Sequence, residues 1–250
     1  MLSTHNLLHI NDFNRDDIDE VLTVASSFEE VNVRTIKKLP TLRGRTIVNL
    51  LLEPSTRTRT SFEIAAKRMS ADAINMSGSA SATVKGESLA DTAATISAMA
   101  CDLVVIRHRY AGAPHILTQH MDSVVINGGD GMHQHPTQAL LDLYTMRKRI
   151  GDLEGRSVAI VGDISRSRVA GSLIPALRRV GATPVAVAPP TLLPARPDLI
   201  GAPDAKSAAY ADYRGAEVSY DLESVLPDVD VVYLLRVQQE RFEHSGFPTT

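Results

Sequence analysis

The segment that most constrains the fold is residues 47–69, IVNLLLEPSTRTRTSFEIAAKRM. Its first six residues, apolar except for Asn49, form the kind of run that a strand shows when a parallel sheet buries both its faces. A Glu53-Pro54 turn follows, after which Phe62, Ala65, Ala66 and Met69 recur at helical spacing. Ser55 is a natural N-cap for that helix. The first backbone N–H groups of a helix have no partner within it and carry the positive end of its dipole, so they aim donors past the end of the strand. Ser55, Thr56 and Thr58 add hydroxyls, and Arg57 adds a fork that matches phosphate oxygens. Two arginines and four hydroxyls within residues 55–60 exceed what capping needs, so this strand, turn and helix are expected to bind an anion. There is no Gly-rich run and no Gly-Lys-Ser/Thr, so a nucleoside triphosphate is not indicated.

The same alternation continues along the chain. A helix opens residues 15–30, with Ile18, Leu22 and Ala25 inward. Residues 75–92, NMSGSASATVKGESLADT, read as a mobile small-residue loop with one cation, Lys85, before Ser88 and Asp91 cap a helix to about residue 100. Strand DLVVI leads to Arg107, and strand SVVIN leads to Gly128-Gly129-Asp130-Gly131. Pro136 suits the first position of a helix that buries Leu140, Leu143 and Ile150. After a break at residues 151–155 come strand SVAIVGD, a helix over 169–180, strand PVAVAP, a Pro-rich connection and strand DVVYLL. Strands alternating with helices give an α/β fold of two domains, residues 1–150 and 151–250, each with a parallel β-sheet flanked by helices.

Composition narrows the function. A net charge of −3 argues against nucleic acid. The single cysteine, Cys101, excludes a disulfide framework and a Cys-ligated zinc, and reads as a buried packing residue. The sequence has no apolar run long enough for a membrane span and no basic-then-apolar leader pattern, which predicts a cytoplasmic protein. His133 and His135 near Asp130 lack the frame of a metal site, and Gly162-Asp163-Ile164-Ser165-Arg166 lacks the dinucleotide fingerprint, so neither metal nor cofactor is expected. Arg57, Arg107, His135, Arg168 and Arg236 each follow an apolar strand. Singly, each could be a surface ion pair. Jointly they predict a cationic cleft between two domains, built for a small substrate with several negative charges.

These motifs together resemble the aspartate/ornithine carbamoyltransferase family. Ser55-Thr56-Arg57-Thr58-Arg59 is similar to its carbamoyl phosphate motif, His135-Pro136-Thr137-Gln138 to the second motif of that site, and Lys85-Gly86-Glu87-Ser88-Leu89 to its mobile loop. Arg236-Val237-Gln238 with Glu240-Arg241 resembles the loop of the aspartate branch. The chain has no Trp, and it lacks the late Cys of the ornithine branch. The resemblance implies carbamoyl transfer from carbamoyl phosphate to L-aspartate, a step of pyrimidine biosynthesis. It implies a carbamoyl phosphate domain first and an aspartate domain second, the latter C-terminally incomplete because the family's late His-Pro-x-Pro segment and final helix are not in the sequence. It further implies a homotrimer with shared active sites, compatible with regulatory or dihydroorotase partner chains.

Residue roles carry over in the same way. Thr58, Arg107 and His135 would polarise the carbonyl. Ser55, Thr56, Arg57, Thr58 and Arg107 would hold phosphate, Gln138 the carbamoyl amide, and Ser81 and Lys85 would enter from the neighbouring subunit. Lys85, Arg107, Arg168, Arg236 and Gln238 would hold aspartate. Arg109 stands where the family usually has Pro. A non-catalytic trimeric homologue that retains anion binding is the alternative reading.

Overall fold

The computed structural model describes residues 2–77, 87–194 and 216–236. The chain divides into two compact units, Met1–Thr137 and Gln138–Thr250. The two predicted parallel sheets are present, one in each unit.

The first unit contains strands β1 (Thr46–Leu51), β2 (Asp72–Ser77), β3 (Leu103–His108) and β4 (Val124–Asp130) in the order β2-β1-β3-β4. Helices α1 (Arg15–Ser27) and α2 (Glu29–Val33) precede them, and α3 (Thr56–Arg68), α4 (Leu89–Ala98) and α5 (Ala113–Thr118) connect them. Val48, Leu50, Val104, Ile106 and Val125 pack on one face with Ala93, Ile96 and Leu117. Ile47 and Val105 point the other way, toward Ala66, Ala71 and Phe62. Period-two alternation thus feeds two apolar layers, which is why the strands read as near-continuous hydrophobic runs. The polar exception in β1, Asn49, is fully buried; its Nδ2 donates across the ladder to Asn75 Oδ1 at 2.9 Å, while its own Oδ1 has no hydrogen-bond partner among the described residues. Ser88 caps α4 as its sequence implied, with reciprocal bonds to Asp91.

The second unit contains β5 (Ser157–Val161), β6 (Thr183–Val187), β7 (Glu217–Ser219) and β8 (Val231–Leu234) in the order β7-β6-β5-β8. Helix α7 (Arg168–Arg179) buries Ala170, Leu173, Ile174 and Leu177. Helix α6 (Pro136–Ile150) starts at Pro136, so the division between the units falls in its first turn.

Three short elements depart from the sequence reading. Residues 75–77 belong to β2 rather than to a loop; β2 is a half-exposed edge strand, so its apolar signal is weak. Helix α5 and strand β7 are also too brief to show a period. On α6 the buried face is Ala139, Leu140, Leu143 and Met146 together with the acidic Asp142, while Ile150 is only partly covered.

Both sheets fasten the strand pair at which their order reverses with the same device. Before β1, Arg45 pairs with Asp102 at 2.6 Å, and the second carboxylate oxygen of Asp102 accepts the Thr46 N–H at 2.8 Å. Before β5, Arg156 pairs with Asp230 at 2.7 Å, and Asp230 accepts the Ser157 N–H at 2.9 Å. Those backbone bonds, followed by the arginines, hold both carboxyls below their ordinary range. Exposed ion pairs contribute little, whereas a backbone donor left without its acceptor is costly. Asp102→Ala should therefore lower the urea midpoint of the full chain more than Arg45→Ala does; the reverse order would show that the ion pair, not the strand-end bond, matters.

Candidate active site

Each sheet contains a point where the strand order reverses, between β1 and β3 in the first unit and between β5 and β8 in the second. Crevices outside the carboxyl ends of such strands are where open α/β sheets bind ligands. Most of the described sequence-predicted residues cluster there, each set within its own unit.

In the first unit β1 runs through the Glu53-Pro54 turn into α3. Ser55 is the N-cap: its Oγ accepts the Thr58 N–H at 3.3 Å and donates to Thr58 Oγ1 at 2.9 Å. Thr58 is buried, while Thr56 and Arg57 face solvent in the first turn. Arg107, next to last in β3, donates through Nη2 to Glu53 Oε1 at 3.0 Å and through Nη1 to the Gly128 carbonyl at 3.2 Å. A guanidinium is thus spread between the turn after β1, which leads into the N-terminus of α3, and the end of β4. Both features favour an incoming anion.

His135 is placed by the loop after β4. Asp130, fully buried, accepts from the Gly112 N–H at 2.8 Å, Asn127 Nδ2 at 2.9 Å and the Gln134 N–H at 3.0 Å, and its carboxylate lies 3.1 Å from His133 Nδ1. Burial alone would raise this carboxyl, but the bonds from His133, Asn127 and Gly112 outweigh it and hold it below 3.8. Gly131 sits at φ +54°, and a Cβ there would lie 2.9 Å from the Ala111 nitrogen. His135 Nδ1 lies 3.3 Å from Thr137 Oγ1. With the threonine donating, the ring proton rests on Nε2, which can then donate to a carbonyl oxygen. His133 is tied to Asp130, and among the described residues no group of His, Cys, Asp and Glu could hold a metal.

In the second unit Gly162, just after β5, sits at φ +125°, where a Cβ would lie 2.9 Å from the Leu235 carbonyl oxygen. This close approach, with Leu235 N–H donating to Val161 at 2.8 Å, brings Arg236 to the end of β5, where it is exposed. Ser167 caps α7, and Arg168, its first residue, is 5% exposed. The neighbouring Arg166 is engaged by the buried Asp163. Gln138, in the first turn of α6, donates to Asp142. Ser81, Lys85 and Gln238 lie outside the described residues. Sequence reading noted Asp130 only as a neighbour of His133 and His135, and it gave no site role to Glu53, Asn127, Asp142 or Tyr233. Of these four only Glu53 carried a signal, as the acid placed directly at the end of an apolar strand.

The family description "Aspartate/ornithine carbamoyltransferase, carbamoyl-P binding domain" matches residues 5–148, more than half the chain. The chain belongs to the aspartate/ornithine carbamoyltransferase family. It is 54% identical over 244 residues to the aspartate carbamoyltransferase catalytic subunit of Thermobifida fusca, covering 98% of this chain and 74% of that one. Among solved structures of the family, it is similar to Trypanosoma cruzi aspartate transcarbamoylase in complex with carbamoyl phosphate and aspartate, with a TM-score of 0.81, 29% identity and coverage of 95% and 74%. The catalytic subunit of M. Jannaschii aspartate transcarbamoylase gives a TM-score of 0.79 at 36% identity, covering 97% of this chain and 77% of that one.

The Asp130 network carries a pH signature. Because its carboxyl is depressed in the folded state, its ionised form stabilises the fold above the ordinary value of 3.8, and this contribution is lost as pH falls through the depressed value. Asp130→Asn should destabilise the chain by about 2–5 kcal/mol at neutral pH, since it disrupts a buried charged network. It should also flatten the loss of stability below about pH 4. Acid unfolding curves of equal steepness would refute this.

Proposed function

We infer that this chain transfers the carbamoyl group of carbamoyl phosphate to the amino group of L-aspartate, giving N-carbamoyl-L-aspartate and phosphate in pyrimidine biosynthesis. The observation that carries the reading is Arg107, held by Glu53 and the Gly128 carbonyl at the carboxyl end of β3 in the unit that contains the capped N-terminus of α3. The similarity to family members named for this reaction, one solved with both substrates bound, supports it.

In the proposed reaction the aspartate nitrogen attacks the carbonyl carbon, the C–O bond to phosphate breaks with its electron pair going to the phosphate oxygen, and the proton lost by the nitrogen is taken up by the departing phosphate. Ser55, Thr56, Arg57, Thr58 and Arg107 bind the phosphate. Thr58, Arg107 and His135 donate to the carbonyl oxygen as it gains charge. Gln138 holds the carbamoyl amide, and Arg168, Arg236 and Gln238 hold the carboxylates, with Arg107 shared. The carbamoyl phosphate domain is residues 1–150 and the aspartate domain 151–250. The protein is cytoplasmic and works as a homotrimer in which Ser81 and Lys85 serve a neighbour's site. Resemblance of the Lys85 loop and of Arg236-Val237-Gln238 to the family motifs supports these last assignments.

Arg57→Ala should lower kcat/KM about 10²–10³-fold, the usual loss when one donor to a developing anion is removed. A change within about threefold, roughly 0.6 kcal/mol, would refute its assignment. Hybrid trimers test the shared site. Lys85→Ala and Arg57→Ala homotrimers should each be nearly inactive, and mixing with reassembly should restore activity. No recovery in verified trimers would mean that Lys85 acts within its own chain or not at all.

A further inference from the structure

Gln138 does not stand alone on α6. Its Nε2 donates to Asp142 Oδ1 at 2.9 Å, one helical turn on, and the other carboxylate oxygen of Asp142 accepts the Tyr233 hydroxyl from β8 at 2.9 Å. Asp142 is 7% exposed, an unusual place for a lone acid with no basic partner in these bonds. The surrounding polar contacts give it a purpose.

An ionised carboxylate only accepts, whereas an amide side chain has one donating and one accepting end. Asp142 therefore determines which end of Gln138 faces it. The reverse orientation would set Oε1 against a carboxylate oxygen, acceptor against acceptor. With NH2 held by Asp142, Oε1 is left to accept a hydrogen bond from elsewhere. Carbamoyl phosphate carries an NH2 group, a donor, where acetyl phosphate carries a methyl group. We propose that Asp142 and Tyr233 are positioning residues that lock the Gln138 amide with its oxygen toward the carbamoyl NH2, so that the site selects carbamoyl phosphate over other acyl phosphates. This inference rests on the carbamoyl transfer reading and extends it to how the acyl group is recognised.

Protonation behaviour agrees with the geometry. Burial raises Asp142 to about 6, opposed by the bonds from Gln138 and Tyr233. Burial also pushes the Tyr233 hydroxyl upward, ahead of the effect of Asp142, so it remains a donor throughout the neutral range. The groups bearing on Asp142 among the described residues are Gln138 from its own helix and Tyr233 from β8, both uncharged. Above about pH 6 the carboxylate holds the amide. Below it the protonated acid can itself donate, and the amide is released to turn its NH2 toward the substrate's NH2.

The test uses the full chain and compares KM for carbamoyl phosphate with inhibition constants for acetyl phosphate and inorganic phosphate. Wild type should prefer carbamoyl to acetyl phosphate. Asp142→Ala should reduce that preference about tenfold or more, the effect of one hydrogen bond lost from a dry site, and leave inorganic phosphate binding within about threefold. Tyr233→Phe, the milder change, removes a bond that pulls Asp142 down, so the acid limb of kcat/KM should move to higher pH. An unchanged preference in Asp142→Ala, or an unmoved acid limb in Tyr233→Phe should Asp142→Ala fail to fold, overturns the role of these residues. Absence of carbamoyl transfer by the wild-type chain overturns both this inference and the function on which it rests.

Discussion

The structure depends on one constraint repeated twice: a parallel strand pair fastened at its amino end so that its carboxyl end can remain polar. In a parallel pair every strand presents its carboxyl end to the same edge, and at the reversal of strand order the connecting segments diverge and leave that edge uncovered. Asp102 and Asp230 close the opposite edge by accepting the first N–H of the central strand, with Arg45 and Arg156 as counter-ions. The register from Thr46 to Leu51 then carries Glu53 and Arg107 to the same edge, where Leu52 donates to the Arg107 carbonyl at 2.9 Å. Arg107 is oriented before any ligand arrives.

That preorganisation has an electrostatic consequence. Glu53 partly neutralises Arg107 and keeps it extended in the free protein. An anion arriving at α3 must compete with one carboxylate, but it finds a guanidinium already placed and amide donors already exposed. Groups fixed in advance need little reorganisation as charge develops, which is the main source of electrostatic catalysis. The Asp130 cluster fixes the loop just before His135 by accepting the Gln134 N–H, and Asp142 holds the Gln138 amide directly. Three buried or half-buried acids thus each fix a proposed site residue or the loop that carries it.

Much of this was legible in the sequence. Long apolar runs, the Ser55 and Ser88 caps and Pro136 at a helix start are local signals, and local physics fixes their outcome. The strand-end arginines were legible because charge at the end of an apolar strand is conspicuous. The supporting acids were not. Asp142 lies inside ordinary helical periodicity and its partner Tyr233 is remote in the chain, while Asn127 and Asp130 sit together at the end of a strand, and their roles arise only when tertiary packing removes them from water. Strands β2 and β7 escaped for a related reason: an edge strand needs little apolar surface, and its identity comes from the ladder it joins.

The central claim is that the first unit binds the substrate's phosphate at its reversal point, between the N-terminus of α3 and Arg107. A crystal structure of the chain with inorganic phosphate tests it most directly. The account predicts phosphate oxygens within hydrogen-bond distance of the Thr56 and Arg57 N–H groups and of the Arg107 guanidinium, with Arg107 still anchored on the Gly128 carbonyl. Phosphate bound elsewhere, with the start of α3 empty, would contradict it.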